Sequence, residues 1–521
     1  MWFRMPLCAA PLGLLLVACG GDSSGTDDAS ASGTGSASTG GSGTTAVSTT
    51  GTNPSEGGSA TDPSAGSESN GMTTTTNATT ATDPTTTTDP TTATTSTTGD
   101  PSGTTAEPST TSGVVPDTTT SGEPGSSTGG GPGSSSTSGE PGSSTGGPPP
   151  VCEPGMGGGG GMGMVEQSFI WIASQNTNDI SKVDTLTMTE LARYRTGPGS
   201  ESPSRTAVSA DGRFVVVNGR NSGRSTMFAA NLADCVDKNG NGQIDTSQNK
   251  ANLLAFGADE CMLWSIVHPT AGAGTPGPRG VTWTPGDWSY EECQYVDPKV
   301  WIGYLAPGGV AHFAKVDGAT GMVEETLMAP GWKGSGFAPY GAALDPQFRP
   351  WFSSLRGEFV RVNTDEVPAT LTRITPPANV QSYGFTVDED GNPWFGGCSG
   401  PVTVYDQKNG TFTSIVGTNA CHRGVTADAN FVWVASNNPC GLVQVDRENR
   451  TLVAKHVLPQ CGTAIGLSTD VEKNVWLVDQ SGWAWKFAPD DVKGLKKVDV
   501  LGSHYVYSDM TGGQLRSILP Q

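Results

Sequence analysis

YGFTVDEDGNPWFG, residues Tyr383–Gly396, decides the fold. A short apolar stretch follows Gly384, the chain turns at Asp390-Gly391, and it returns through Trp394. That is two strands joined by a dipeptide suited to a tight hairpin. Three further segments align with it: Tyr340–Ser353 (YGAALDPQFRPWFS), Arg423–Ala435 (RGVTADANFVWVA) and Ile465–Val478 (IGLSTDVEKNVWLV). A third strand ending near Asp or Asn comes after the Trp strand, as in Leu442–Asp446 (LVQVD), and a fourth strand with a Gly or Pro turn closes the unit. Trp351, Trp394, Trp433 and Trp476 are spaced 43, 39 and 43 residues apart. Trp171 and Trp301 fit the same place, and Val215 takes it in the second unit. A period near 40 with four short strands is the pattern of a propeller blade. The count predicts an all-β chain with seven blades. The competing reading, a β-sandwich, does not explain the regular Trp period. The first unit lacks an innermost strand, and Tyr505–Thr511 (YVYSDMT) reads as the spare one. It is expected to complete blade one and close the ring, leaving no exposed edge.

Upstream the material changes. Arg4 precedes an apolar run, Leu12–Val17, of signal-peptide length and too short to span a bilayer. The run ends in Leu16-Val17-Ala18-Cys19, followed by Gly20-Gly21. These residues resemble a bacterial lipobox, in which cleavage precedes the cysteine and the cysteine is acylated. The resemblance implies a membrane anchor at Cys19 and an extracytoplasmic protein. With no acid following Cys19, it points to the outer membrane or cell surface. From Gly20 to about Pro150 the chain is Ser, Thr, Gly and Pro with scattered acids and no Lys or Arg; SGEPGSSTGG occurs at both Ser121–Gly130 and Ser138–Gly147. Such a segment cannot bury enough surface to offset its ordering entropy, so it is read as a disordered stalk. The expected organisation is a signal peptide at 1–18, a lipid-anchored stalk at 19–164, and the propeller at 165–521, with an insertion at about 234–275.

The chain carries a net charge of −21. Thirteen of its acids lie in the stalk, leaving −9 for residues 151–521. A mildly acidic domain without basic blocks argues against nucleic acid as a partner, and nothing in the sequence calls for an oligomer.

Eight cysteines follow Cys8 and Cys19, an even number that outside the cytoplasm suggests disulfides. Cys398 and Cys440 each follow a Trp strand. Cys421 and Cys461 each precede the next inner strand. Register therefore pairs Cys398 with Cys421 and Cys440 with Cys461 on one face. Cys235–Cys261 would clip the base of the insertion, and Cys152 and Cys293 remain to pair with each other. The insertion contains Asp237, Asn239, Asn241, Gly242, Gln243 and Asp245. Their spacing resembles the calcium loops of the EF-hand, dockerin and thrombospondin type 3 families. It implies Ca²⁺ held by Asp237, Asn239, Asn241, the Gln243 carbonyl and Asp245. Gln248 stands where an EF-hand has its bidentate Glu, so a structural site is expected rather than a sensor.

Over residues 166–512 the blade pattern resembles the streptogramin B lyase (virginiamycin B lyase) family and related NHL-type propellers. That family implies a Mg²⁺-assisted ring opening of a cyclic depsipeptide lactone, with a His base before an inner strand and a Glu at the end of the next Trp strand. His422 takes the first place; the second is Ser436. Asp479, in the neighbouring blade, is the remaining acid that could ligate a metal. No GxSxG, HExxH or P-loop occurs. Arg205, Arg279, Tyr304, Tyr340, Tyr383 and Arg423 are expected at a ligand rim around the channel. The first expectation is therefore a surface binding module for a small molecule, peptide or polysaccharide. The alternatives are a lyase using His422 with Mg²⁺ and a purely structural surface protein.

Overall fold

Residues 168–519 are described by a computed structural model. The signal peptide, Cys19, the stalk and Cys152 lie outside them. Within them the repeat has a physical cause. In the turn between the first two strands of a blade, one Asp accepts two backbone N–H groups on Oδ1 and the Trp indole N–H on Oδ2. Asp388 takes Asp390 N and Asn392 N at 3.1 and 2.8 Å and Trp394 Nε1 at 2.7 Å. The same clasp joins Asp345 to Trp351 at 3.0 Å, Asp428 to Trp433 at 2.7 Å and Asp470 to Trp476 at 2.9 Å. One carboxylate thus fixes the hairpin and satisfies the only polar atom of a buried indole. Trp171 has no such turn before it, and its indole nitrogen lacks a partner among the described residues.

Seven radial sheets result. The inner strands of blades two to seven are Pro203–Val208, Val281–Thr284, Gly341–Leu344, Gly384–Val387, Cys421–Ala427 and Ala464–Thr469, each antiparallel to the strand outside it. Blade one has three strands of its own, Phe169–Ser174, Asp179–Asp184 and Thr189–Arg195. The core lies between blades: Trp351 packs on Phe359 of its own blade and on Tyr405 of the next, at 5.8 and 6.5 Å between ring centroids.

The C-terminal segment closes the ring. Trp171 N donates to Met510 O at 2.9 Å, Tyr505 N to Ala173 O at 3.1 Å, and Gln175 N to Ser503 O at 3.1 Å. The segment is not a plain fourth strand. It bulges away from blade one, and Tyr507–Ser508 pairs in parallel with Arg205 and Thr206 of blade two. Asp509 then accepts N–H groups from Gly513 and Gln514, both at 3.1 Å, at the start of a short helix, Gly513–Ile518. The helix packs across the far ends of the inner strands. Gln514 bonds the carbonyls of Leu344 and Val387 at 2.7 and 3.4 Å, and Leu515 and Ile518 are buried.

The insertion is shorter than the expected 234–275. Met262–Val267 is the outermost strand of blade two, paired with Arg224–Ala229, so the inserted chain ends at Cys261. A second insertion, the hairpin Asp287–Ser289 with Gln294–Val296, interrupts blade three. It has no repeat signature to mark it.

The clasp is testable. Asp388→Ala strands a buried indole N–H and two turn N–H groups and is expected to lower unfolding free energy by about 3 kcal/mol. Asp390→Ala, whose carboxylate is exposed and 3.4 Å from Arg447, is expected to cost less than about 0.5 kcal/mol. Urea denaturation of both variants measures the difference; equal losses would show that the clasp is not what holds the blade.

Candidate functional site

Inner strands converge on the channel axis, so the residue at the head of each one meets its counterparts from the other blades. The sequence pairs are Arg279-Gly280, Tyr340-Gly341, Tyr383-Gly384, Arg423-Gly424 and Ile465-Gly466, with Arg205-Thr206 in blade two. The glycines let neighbouring strands approach: a Cβ on Gly384 would fall 1.6 Å from Arg423 O, and one on Gly466 2.3 Å from Val506 O. The large residue before each is carried inward. The closing segment adds Tyr505 and Tyr507 for blade one.

Contacts between blades that are not neighbours show that these side chains meet on the axis. The guanidinium of Arg205 (blade two) lies 4.6 Å from the ring centroid of Tyr340 (blade four) and 4.0 Å from that of Tyr507. Arg279 stands 5.0 Å from Tyr340, Arg220 4.5 Å from Tyr505, and Arg423 5.1 Å from Tyr383. The Tyr505 hydroxyl bonds those of Tyr340 and Tyr383 at 3.1 and 2.5 Å. Arg423 Nη1 donates to Tyr507 OH at 3.2 Å. Arg205 is held by the carbonyls of Tyr340 and Ser204 at 3.1 and 2.9 Å.

Four guanidinium groups and four phenols therefore share one end of the channel. Among the described residues no carboxylate pairs with Arg205 or Arg423, and Arg205 Nη2 and Arg423 Nε have no hydrogen-bond partner. Burial works against the charge of Arg423, but the Tyr507, Tyr383 and Tyr505 oxygens outweigh it and hold the group protonated. Burial raises the Tyr507 phenol well above its usual range, so it stays neutral. The centre of the mouth is cationic, ringed by aromatic faces. Arg205 is fully buried, whereas Arg423 keeps part of its surface in solvent.

Of the rim residues expected from sequence, Arg205, Arg279, Tyr340, Tyr383 and Arg423 come together. Tyr304 does not. It lies on the second strand of blade three, one strand out from the axis, stacked on His268 at 4.8 Å and bonded to His312 Nδ1 at 3.0 Å. Arg220, Ile465, Tyr505 and Tyr507 were not anticipated. Ile465 was legible from the same large-residue–Gly pair; the tyrosines required knowing where the closing segment bulges.

His422 points away from this cluster, since it alternates with Arg423 along one strand. It is completely buried, its Nε2 lies 2.6 Å from Thr418 O, and Ser436 faces it across the sheet. Asp479 is occupied by backbone: Oδ2 accepts Gly462 N and Thr463 N, both at 3.0 Å, and Oδ1 accepts Ser481 N at 2.7 Å. Disulfides join Cys235–Cys261, Cys398–Cys421 and Cys440–Cys461, the last two on the mouth face. Cys293, on the blade-three hairpin, is also disulfide-bonded. In the insertion, Asn239 Nδ2 and Asn241 Nδ2 both reach Asp245 Oδ2, at 2.8 and 3.0 Å, and Asp237 accepts Gly240 N and Gly242 N at 2.7 and 2.8 Å.

Fold and mouth together define a seven-bladed β-propeller closed by its own C-terminal segment. No protein-family model matches the chain, and no curated protein matches it. Among solved structures it is similar to AztD from Citrobacter koseri, at 11% identity over 65% of this chain and 96% of that one (TM-score 0.41). It is also similar to a protein from Lactobacillus plantarum, at 17% identity over 65% and 98% (TM-score 0.44), and to BamB from Moraxella catarrhalis, at 12% over 62% and 80% (TM-score 0.37). Likeness at this level carries no argument about what the chain binds.

Three buried histidines make stability depend on pH. Burial lowers His268, His422 and His504 to about 4, from an ordinary value of 6.5. Below pH 6.5 the unfolded chain takes up these protons while the folded chain does not, until about pH 4. Stability is therefore complete above pH 7 and falls across that window, by up to about 3 kcal/mol per histidine. Thermal melts between pH 7.5 and 4.5 are expected to show a falling midpoint, with a shallower slope in His268→Gln. A flat profile in the parent protein would contradict the burial argument.

Proposed function

We propose that this chain is a surface-displayed binding module whose propeller takes an anionic group of its ligand at the arginine–tyrosine mouth. One observation carries the reading. Arg205 and Arg423 meet there without a carboxylate among the described residues, each with a guanidinium nitrogen that lacks an acceptor. Desolvated cations are costly unless something compensates them. A ligand carboxylate or phosphate at partly exposed Arg423 would supply that compensation through charge-assisted hydrogen bonds. The lipid anchor at Cys19 and the stalk belong to the same proposal: they would hold the propeller off the membrane. Arg423→Ala is expected to weaken binding of polygalacturonate at least about tenfold by calorimetry, with affinity falling as salt rises. Equal binding of neutral dextran by the parent protein would refute an anion-reading mouth.

The insertion supports a structural calcium ion as part of the same proposal. Its donor set is all oxygen: two carboxylates, two Asn side chains and the Gln243 carbonyl, which suits a hard cation. The two Asn amides already converge on Asp245, where the ion would replace their N–H groups. Added Ca²⁺ is expected to raise the melting temperature, and Asp237→Ala to abolish that rise. An unchanged melting temperature in millimolar Ca²⁺ would remove the ion from the proposal.

The lyase alternative rests on a different feature. His422 Nδ1 has no partner among the described residues, and burial keeps the ring neutral at physiological pH, so its lone pair is free, although the same burial weakens it as a base. It is fully buried, however, and Ser436 stands where the resemblance asks for Glu. Chromatography of a streptogramin-type lactone incubated with the protein and Mg²⁺ decides: linear product that disappears in His422→Ala would make this an enzyme.

A further inference from the structure

A second feature of the mouth face does not belong to the ring. Outside it, a cleft of about 310 Å³ opens between three loops: the blade three to four connection, the turn at Arg356-Gly357, and the blade four to five connection. Lys333, Ser335, Arg356, Pro376, Pro377 and Val380 line it. Its walls are stiff. Gly357 sits at φ +120°, and a Cβ there would fall 2.0 Å from Lys333 O, so the turn is packed directly on the neighbouring loop. The opposite wall is Pro376-Pro377, closed by a hydrogen bond from Val380 N to Pro377 O at 2.9 Å.

Two observations mark this cleft as a site. First, the side chains of Lys333 and Arg356 make no ion pair or hydrogen bond among the described residues. The nearby carboxylate, Glu358, is already taken: Arg373 holds it through Nε and Nη2 at 2.8 and 2.7 Å, and Lys333 N bonds it at 2.7 Å. The free charge in the cleft is therefore positive, on a domain that is acidic as a whole. Second, a void of about 10 Å³ lies beneath it, sharing Arg356, Gly357, Pro376 and Val380 with the cleft and lined also by Ser353 and Ser382. Both serines are at least nine-tenths buried, 0% and 5% exposed, and neither hydroxyl has a partner. Buried hydroxyls without partners are uncommon, and this space fits one water oxygen or one ligand hydroxyl.

We propose that this cleft binds a small hydroxylated anion, a sugar acid or sugar phosphate. The anionic group lies between Arg356 and Lys333, the sugar ring lies on the Pro376-Pro377 wall, and one hydroxyl reaches Ser353 and Ser382. The volume is at the lower end for ligand pockets, which selects a single sugar rather than an oligomer. This site is independent of the channel mouth and does not require the mouth to bind anything.

Calorimetry on the full-length protein with glucuronate, glucose 6-phosphate, glucose and inorganic phosphate tests it. Glucuronate or glucose 6-phosphate is expected to bind, and whichever binds more tightly identifies the source of the anion. Glucose is expected to bind at least about tenfold more weakly. Arg356→Ala and Lys333→Ala, both at surface positions, are each expected to reduce affinity about tenfold. Ser382→Ala is expected to leave folding intact, because it removes an unsatisfied group. It should weaken the sugar anion while leaving inorganic phosphate unchanged. Anion binding that survives Arg356→Ala and Lys333→Ala but is lost in Arg423→Ala would place the anion at the mouth and overturn the cleft. Absence of binding by both sugar anions, or equal binding of glucose, would overturn it as well.

Discussion

Closure of the ring constrains everything else in this molecule. A radial array of four-stranded sheets has no free edge only if its first and last units share a blade. Here blade one begins without an inner strand, and the last residues of the chain supply it. The same eight or nine residues do two further things. Tyr505 and Tyr507 are delivered to the axis at the mouth, and Asp509 caps the helix that lies across the opposite end. The residues that make the ring mechanically continuous thus also set the chemistry of one end of the channel and block the other. The bulge is what allows both. A regular strand would have kept Tyr507 in the plane of blade one, out of reach of Arg423.

Much of this was legible because the repeat is chemical as well as periodic. Asp388 and Trp394 are six residues apart since the carboxylate that fixes the turn also caps the indole that follows it. The pair recurs in blades four to seven, and there its period marks the blades. The mouth was legible for a similar reason. A large residue followed by Gly or a small residue at the head of an inner strand marks where one side chain is pushed toward the axis and the backbone beside it packs tightly. Arg279, Tyr340, Tyr383 and Arg423 are each followed by Gly, and Arg205 by Thr. Tyr304 carried no such neighbour: it is followed by Leu305 and lies within the second strand of blade three, paired with His312 of the third. Arg220 and the closing tyrosines depended on three-dimensional register, which no local pattern encodes. The hairpin in blade three and the helix Gly513–Ile518 were silent because single short elements have neither period nor length.

The cleft was invisible to sequence for a different reason. Its two serines look like any strand-end serine, and its two cations look like surface residues on loops. What distinguishes them is the joint absence of partners, and that exists only once three loops have been folded against one another. Glu358 shows why composition would have misled: an acid lies beside the cleft, but Arg373 has already neutralised it.

The distribution of charge over the two faces gives the molecule a direction. The inserted loop, with Asp237, Asp245, Asp259 and Glu260, leaves blade two on the side away from the mouth, following the third strand of that blade. The mouth side gathers the arginines of the ring and the free cations of the cleft, and two disulfides fasten the loops around them. Net charge of the domain is negative, so an anionic ligand is repelled at long range and attracted only near this face. At physiological ionic strength the repulsion is screened beyond about 8 Å, whereas the desolvated guanidiniums act at contact distance and are screened little. On the proposed reading, an acidic propeller with one cationic face would take anions that arrive by contact, and the acidity elsewhere would limit indiscriminate adhesion. The stiffness of that face matters as much as its sign. Glycines packed on carbonyls, paired prolines and disulfides fix the loops before any ligand is present, which lowers the ordering cost of binding.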